Sequence, residues 1–239
     1  MRLKLISDLH LEFMKGTGRK FLENLDLEEA DVVILAGDLC PLGHLPRTHL
    51  DILSDKCQNL VYVLGNHEYY HSTLHQTLTK FNEINERYSN IFTLENKEVE
   101  ISGVTFAGTS LWFKLDSEAP KYSHQMNDFH AIKLFNQWIG AASHAARYFL
   151  ETSQADVWIT HHLPSWKSVH PKYQGSELNR FFVNNIEDLV SAHSPKYLFH
   201  GHTHEQFAYS LGNTEVYCNP LGYPGERKDR DYKPLDLIL

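Results

Sequence analysis

Cysteine is scarce in this chain of 239 residues, three in all, and Cys40, Cys57 and Cys218 stand in no C-x-x-C spacing. That disfavours a disulfide framework and a cysteine zinc site, and reduced thiols are expected. No apolar run approaches the roughly 18 residues of a membrane-spanning helix, and the apolar stretch at the N-terminus is too short for a signal peptide. Cytoplasmic residence without a membrane partner is the resulting expectation. Positive charge is also in deficit: 22 Lys and Arg against 30 Asp and Glu leave a formal charge of -8. A long polyanion needs a basic stripe, and the basic cluster that stands out is Arg227-Lys228-Asp229-Arg230. Long nucleic acid is therefore not an expected partner, whereas a small phosphate ester remains open.

What the sequence has in quantity is histidine, 16 residues, a side chain suited to metal coordination and proton transfer. Hydrophobic content of 42 % with 22 % charged residues is ordinary for a soluble globular protein, and the length suits one domain over 1–239.

The first third alternates strand and helix patterns. Residues 2–7, 32–36 and 60–64 read as strands, with helical patterns over 20–30, 45–58 and 72–88, which implies right-handed crossovers and a parallel sheet. Later, 99–101 with 104–107 and 208–211 with 215–218 flank glycine turns and read as hairpins, so antiparallel strands join the parallel ones. Two more buried strands are expected at 157–160 and 197–200, and a helix at 131–150. The elaborations at about 114–150 and 163–187 carry little strand character and are expected to lie over a site.

Five predicted strands end on polar residues of ligand type. These are Asp8 and His10; Gly37-Asp38; Gly65-Asn66-His67-Glu68; His161 with His162; and Gly201-His202-Thr203-His204. In sheets of this kind, sites lie beyond the carboxyl ends of the strands, so such residues converge. Asp38 follows five apolar residues, Val32 to Ala36, and Gly37. A carboxylate there is expensive to bury unless positive charge meets it.

In this order the motifs resemble those of the calcineurin-like metallophosphoesterase family: D-x-H, G-D, G-N-H-[DE], H and G-H-x-H. The resemblance spans positions 8 to 204. It implies an α/β fold, a four-layer α-β-β-α sandwich of two mixed sheets flanked by helices. It also implies a two-metal site, one ion on Asp8, His10, Asp38 and His204, the other on Asp38, Asn66, His161 and His202. Two cations so close need a shared anion, which explains a bridging Asp38. Imidazole and carboxylate donors suit Mn, Fe, Zn, Co or Ni without choosing among them. The implied reaction is hydrolysis of a small phosphomonoester or phosphodiester by a metal-bridging hydroxide. A nuclease on short or single-stranded substrates, a non-catalytic interaction module on the same fold and a mononuclear zinc hydrolase are the alternatives.

By the same resemblance His67 is the catalytic residue beyond the ligands, giving a proton to the leaving group or holding a phosphoryl oxygen. Some relatives orient this histidine with an Asp three residues after the bridging Asp; here that position is Pro41, so the pairing is absent or supplied elsewhere, with Glu68 and Asp128 as candidates. His161 and His162 compete for one ligand place, and the motif match favours His161, leaving His162 behind the ligands or near substrate. Asn66, His162, Tyr69, Asp128 and Asn179 are the candidates for substrate contact. Cys40 falls close to Asp38, where a buried thiol is expected.

Overall fold

The computed structural model describes residues 1–226 and 231–239, so the basic cluster at 227–230 lies outside the described residues. Two mixed sheets lie face to face. The first comprises β1 (Arg2–Ile6), β2 (Val32–Ala36), β3 (Leu60–Val63), β4 (Ile91–Leu94) and β11 (Leu235–Ile238), in the order β11-β1-β2-β3-β4. β1 to β4 are mutually parallel and β11 is antiparallel to β1. The second comprises β5 (Lys97–Ile101), β6 (Val104–Thr109), β7 (Val157–Thr160), β8 (Tyr197–His200), β9 (Phe207–Leu211) and β10 (Thr214–Cys218). Its order is β5-β6-β7-β8-β10-β9, with both hairpins at the edges.

The apolar runs are continuous because both faces of each central strand are covered. In β2, Val32, Ile34 and Ala36 pack between the sheets with Val61 and Val63 of β3, Val157 and Ile159 of β7, and Phe199 of β8. Val33 and Leu35 face the other way, onto the layer of helices α1 (Arg19–Asn24), α2 (Arg47–Lys56) and α3 (Leu74–Arg87). Burying each such side chain contributes about 1.5–3 kcal/mol. The outer face of the second sheet, with Trp158 and Leu198, is covered by Ala146 and Leu150 of α6 (Phe135–Thr152) and by Leu189 and Val190 of α7 (Glu187–His193). The four-layer expectation therefore holds.

Differences from expectation lie at the margins. The helix expected over 20–30 ends at Asn24, and Leu25 and Leu27 enter the core from the connection to β2. β4, β11 and α7 were not foreseen. Between β6 and α6 lie the single turns α4 (Ala119–Tyr122) and α5 (Asp128–Ala131) with a 3-10 turn, Ser123–Gln125, between them, and the long helix starts at Phe135, not 131. The segment after β7 is folded into short 3-10 turns. No helix of the described residues is long and apolar enough to cross a membrane.

Candidate metal centre

The carboxyl ends of β1, β2, β3, β7 and β8 bring all seven expected ligands together. Backbone bonds lock the first two loops: Asp8 N donates to Gly37 O at 3.0 Å and His10 N to Asp38 O at 3.0 Å. Asp8, His10, Asp38, His202 and His204 all have left-handed backbone, with φ between 44° and 68°. For residues other than glycine this costs about 1–2 kcal/mol each, and its concentration on candidate ligands marks a place where function sets the geometry. Two glycines are required by close approach. A Cβ on Gly65 would lie 2.1 Å from Asp38 Oδ1, and one on Gly201 would lie 2.7 Å from Asp8 Oδ2.

Asp38 Oδ1 accepts from His67 N at 2.9 Å. Its Oδ2 stands 3.7 Å from His10 Nε2 on one side and 3.5 Å from His161 Nε2 on the other. On the first side, His10 Nε2 faces His204 Nε2 at 2.9 Å, and His204 Nε2 is 3.7 Å from Asp8 Oδ1. On the second, His161 Nε2, His202 Nδ1 and Asn66 Oδ1 lie 3.1–3.2 Å from one another.

These donors fit metal ions. Acceptor atoms that face one another across about 3 Å suit ligands about 2.0–2.2 Å from a common cation. Backing partners set the rings for this: His161 Nδ1–H donates to Ala36 O at 2.9 Å and His204 Nδ1–H to Glu226 Oε2 at 2.8 Å, so that each Nε2 is turned inward and, once deprotonated, would offer its lone pair to an ion. Asp8 Oδ2 is buried with no partner among the described residues. Burial alone would raise the Asp38 pKa, but His161, His67 and His10 hold it well below the usual carboxylate range. Burial of Asp38 requires positive charge beside it, and bound cations would supply that charge with the rings neutral.

His67 borders a cavity of about 370 Å³ in front of the ligands. Its Nδ1–H donates to Glu12 Oε1 at 2.7 Å, Nε2 is 3.0 Å from the Tyr223 hydroxyl, and the ring stacks on Tyr70 at 4.3 Å. Burial favours the neutral ring, yet Asp38 and Glu12 outweigh it and hold the pKa up at about 9. Bound cations would oppose the Asp38 part of that shift.

Three expectations need correction. Neither Glu68 nor Asp128 orients His67. Glu68 is fully buried and ties the loops together, accepting from Asp38 N, Leu39 N, Gly65 N and the Tyr62 hydroxyl. Asp128 accepts from Asn66 Nδ2 and from the Tyr70 hydroxyl, each at 2.9 Å. Tyr69 is not a pocket wall: the 3-10 turn His67–Tyr69 points it into the core against Trp112 and Trp138. His162 is not near substrate either, because consecutive strand-end residues face opposite ways. It is buried against Trp112 and Phe113, with Nδ1 at 2.9 Å from Ser110 O, and burial lowers its pKa to about 3.

Asn66, Asp128 and Asn179 do border the cavity. Cys40 is buried, its thiol toward Pro41 O. Glu12, Tyr223 and Glu226 are additions. Glu12 continues the alternation of Asp8 and His10. Tyr223 and Glu226 follow β10 on a segment bonded to β1 through Leu221 N to Ser7 O and Gly222 N to Asp8 O, and nothing local marks them.

The family model for calcineurin-like phosphoesterases matches residues 1–206, and the chain belongs to that family. An uncharacterized protein of Acanthamoeba polyphaga mimivirus is 24 % identical over 99 % of this chain and 98 % of its own. An uncharacterized Haemophilus influenzae protein is 29 % identical over 70 % of this chain and 73 % of its own. Among solved structures, the phosphopantetheinyl hydrolase of Mycobacterium tuberculosis has a TM-score of 0.76 at 17 % identity, covering 98 % of this chain and 95 % of that one. A Thermus thermophilus protein, TT1561, has a TM-score of 0.59 at 17 % identity over 93 % and 89 %. Both likenesses are of fold.

Proposed function

We propose that the chain hydrolyses a small phosphate monoester or diester at two transition ions, one held by Asp8, His10, Asp38 and His204 and one by Asp38, Asn66, His161 and His202. The observation that carries this reading is Asp38 Oδ2, a buried carboxylate oxygen set between His10 Nε2 at 3.7 Å and His161 Nε2 at 3.5 Å. Ions bound there would offset phosphoryl charge and make a water acidic enough to attack near neutral pH. Asp128 holds the Asn66 amide so that Oδ1 points at the second ligand set. Glu12 fixes His67 with Nε2 toward the cavity, where it can pass a proton to the departing oxygen. Tyr223, beside that nitrogen, lies within reach of the same oxygen.

Metal analysis of the purified chain tests the reading first, followed by turnover of p-nitrophenyl phosphate and bis-p-nitrophenyl phosphate with and without manganese. Up to two transition ions per chain are expected, with metal-dependent turnover that Asp38→Asn abolishes. A chain that takes up no ion, or an Asp38→Asn protein with normal activity, overturns it. The named activity of the Mycobacterium tuberculosis neighbour puts phosphopantetheinyl esters on the natural-substrate panel, beside nucleotides, sugar phosphates and short DNA.

A further inference from the structure

The cavity in front of the ligands has walls of two kinds. Its floor is the ligand cluster with His67. The opposite wall is mainly apolar: Met126 from the first elaboration, and Leu163, Val169, Leu178 and Phe182 from the second. Gln125, Asn127 and Asn179 add neutral amides. Away from the candidate ligands, the carboxylates on the lining are already engaged, Asp128 by Asn66 Nδ2 at 2.9 Å and Glu226 by His204 Nδ1 at 2.8 Å; His170 is the imidazole on this wall, and among the described lining residues there is no lysine or arginine. Two cations on the second elaboration are already paired, Lys172 with Glu205 at 2.7 Å and Arg180 with Asp116 and Glu177.

We propose, on the basis of the phosphoesterase reading, that the site selects phosphate esters whose organic group is an uncharged chain. Apolar stretches of that chain would lie along Leu163, Val169, Leu178 and Phe182. Amide or hydroxyl groups on it would meet Gln125, Asn127 and Asn179. The scissile phosphate finds its counter-charge at the ligand end. A second anionic group further along would give up water for a wall of apolar side chains and neutral amides that holds no described lysine or arginine, a cost that a neutral group does not carry. A cavity of this size and mixed lining suits a small organic group held by apolar contact and oriented by a few polar groups. Nucleoside polyphosphates, sugar bisphosphates and nucleic-acid ends therefore rank below esters of neutral chains.

Matched p-nitrophenyl phosphodiesters test this. Their second substituent is an alkyl chain of one length that ends in a carboxamide, a carboxylate or a phosphate. With the metal-loaded protein, kcat/KM for the carboxamide ester should exceed that of the carboxylate ester by about tenfold or more, mainly through KM. Asn127 is exposed and makes no capping bond, so Asn127→Lys adds a cation to the wall and should narrow the gap. Equal or faster turnover of the anionic esters overturns the proposed class and leaves the phosphoesterase reading standing. If neither these diesters nor p-nitrophenyl phosphate is turned over, that reading fails instead. Calorimetric titration with alkylphosphonates ending in carboxamide or carboxylate then decides the class: tighter binding of the carboxamide supports it, and equal, weaker or no binding overturns it.

Discussion

The strand-end loops and the wall opposite them are built differently. In the loops, candidate ligands are nearly inaccessible and cross-bonded between strands: Asp8 N to Gly37 O, His10 N to Asp38 O, and three backbone N–H groups to the single carboxylate of Glu68. In the wall, many bonds close single turns, Tyr173 N to His170 O, Ser176 N to Tyr173 O and Asn179 N to Ser176 O, and fewer reach further, such as Leu163 N to Phe182 O and Ser168 Oγ to His200 Nε2. Its side chains are often open to solvent, Tyr173 by 51 % and Trp166 by 53 %. A loop held from several strands can hold atoms to the tolerance that metal chemistry needs. A wall held largely by its own turns can change its lining with little disturbance to either sheet. On the proposed function, the reaction would belong to the first region and the choice of ester to the second.

Breaking the loop side should give the largest effect short of losing a ligand. His67→Ala is expected to lower turnover by about 10²-fold while both ions stay bound, measured by steady-state kinetics with metal analysis. Turnover near normal would remove the proton donor from the loop side. Glu12→Gln comes next, with a loss of about tenfold, the scale seen for groups that orient a first partner. The loss should be larger for an alkyl ester than for a p-nitrophenyl ester, because a good leaving group needs less protonation. Equal losses on both would mean that Glu12 only supports His10, whose Nδ1 is 3.5 Å away.

Legibility in the sequence follows the same division. Strands buried on both faces appear as unbroken apolar runs, and β2 falls where its five apolar residues predict. Strand-end ligands were legible because their types and order leave few alternatives. Side-chain direction was not: in a 3-10 turn neighbouring residues are rotated by about a third of a turn, so which of Tyr69 and Tyr70 faces the cavity depends on where that turn begins. β11 alternates half-buried and exposed residues at a sheet edge, too few to register as a pattern. Glu226 comes to His204 Nδ1 from 22 positions away, which only the packing of the segment after β10 on β1 explains.

Tyr70 joins the two regions, and the smallest predicted effect falls there. Its hydroxyl donates to Asp128 Oδ1 at 2.9 Å and accepts from Asn66 Nδ2 at 3.3 Å, so a wall residue helps to aim a strand-end ligand. Tyr70→Phe keeps the ring on His67 and removes both hydroxyl bonds, to Asp128 and from Asn66; with the Asp128–Asn66 bond left in place, the net loss is about 1 kcal/mol or about fivefold. Because the change acts through Asn66, kcat/KM should fall by the same factor for carboxamide-ended and carboxylate-ended esters, with affinity for the second ion weakened alongside. A loss confined to one ester would instead place Tyr70 with the wall, as a contact to the organic group. Asn66 would then be aimed by Asp128 alone, through the 2.9 Å bond that the substitution leaves in place.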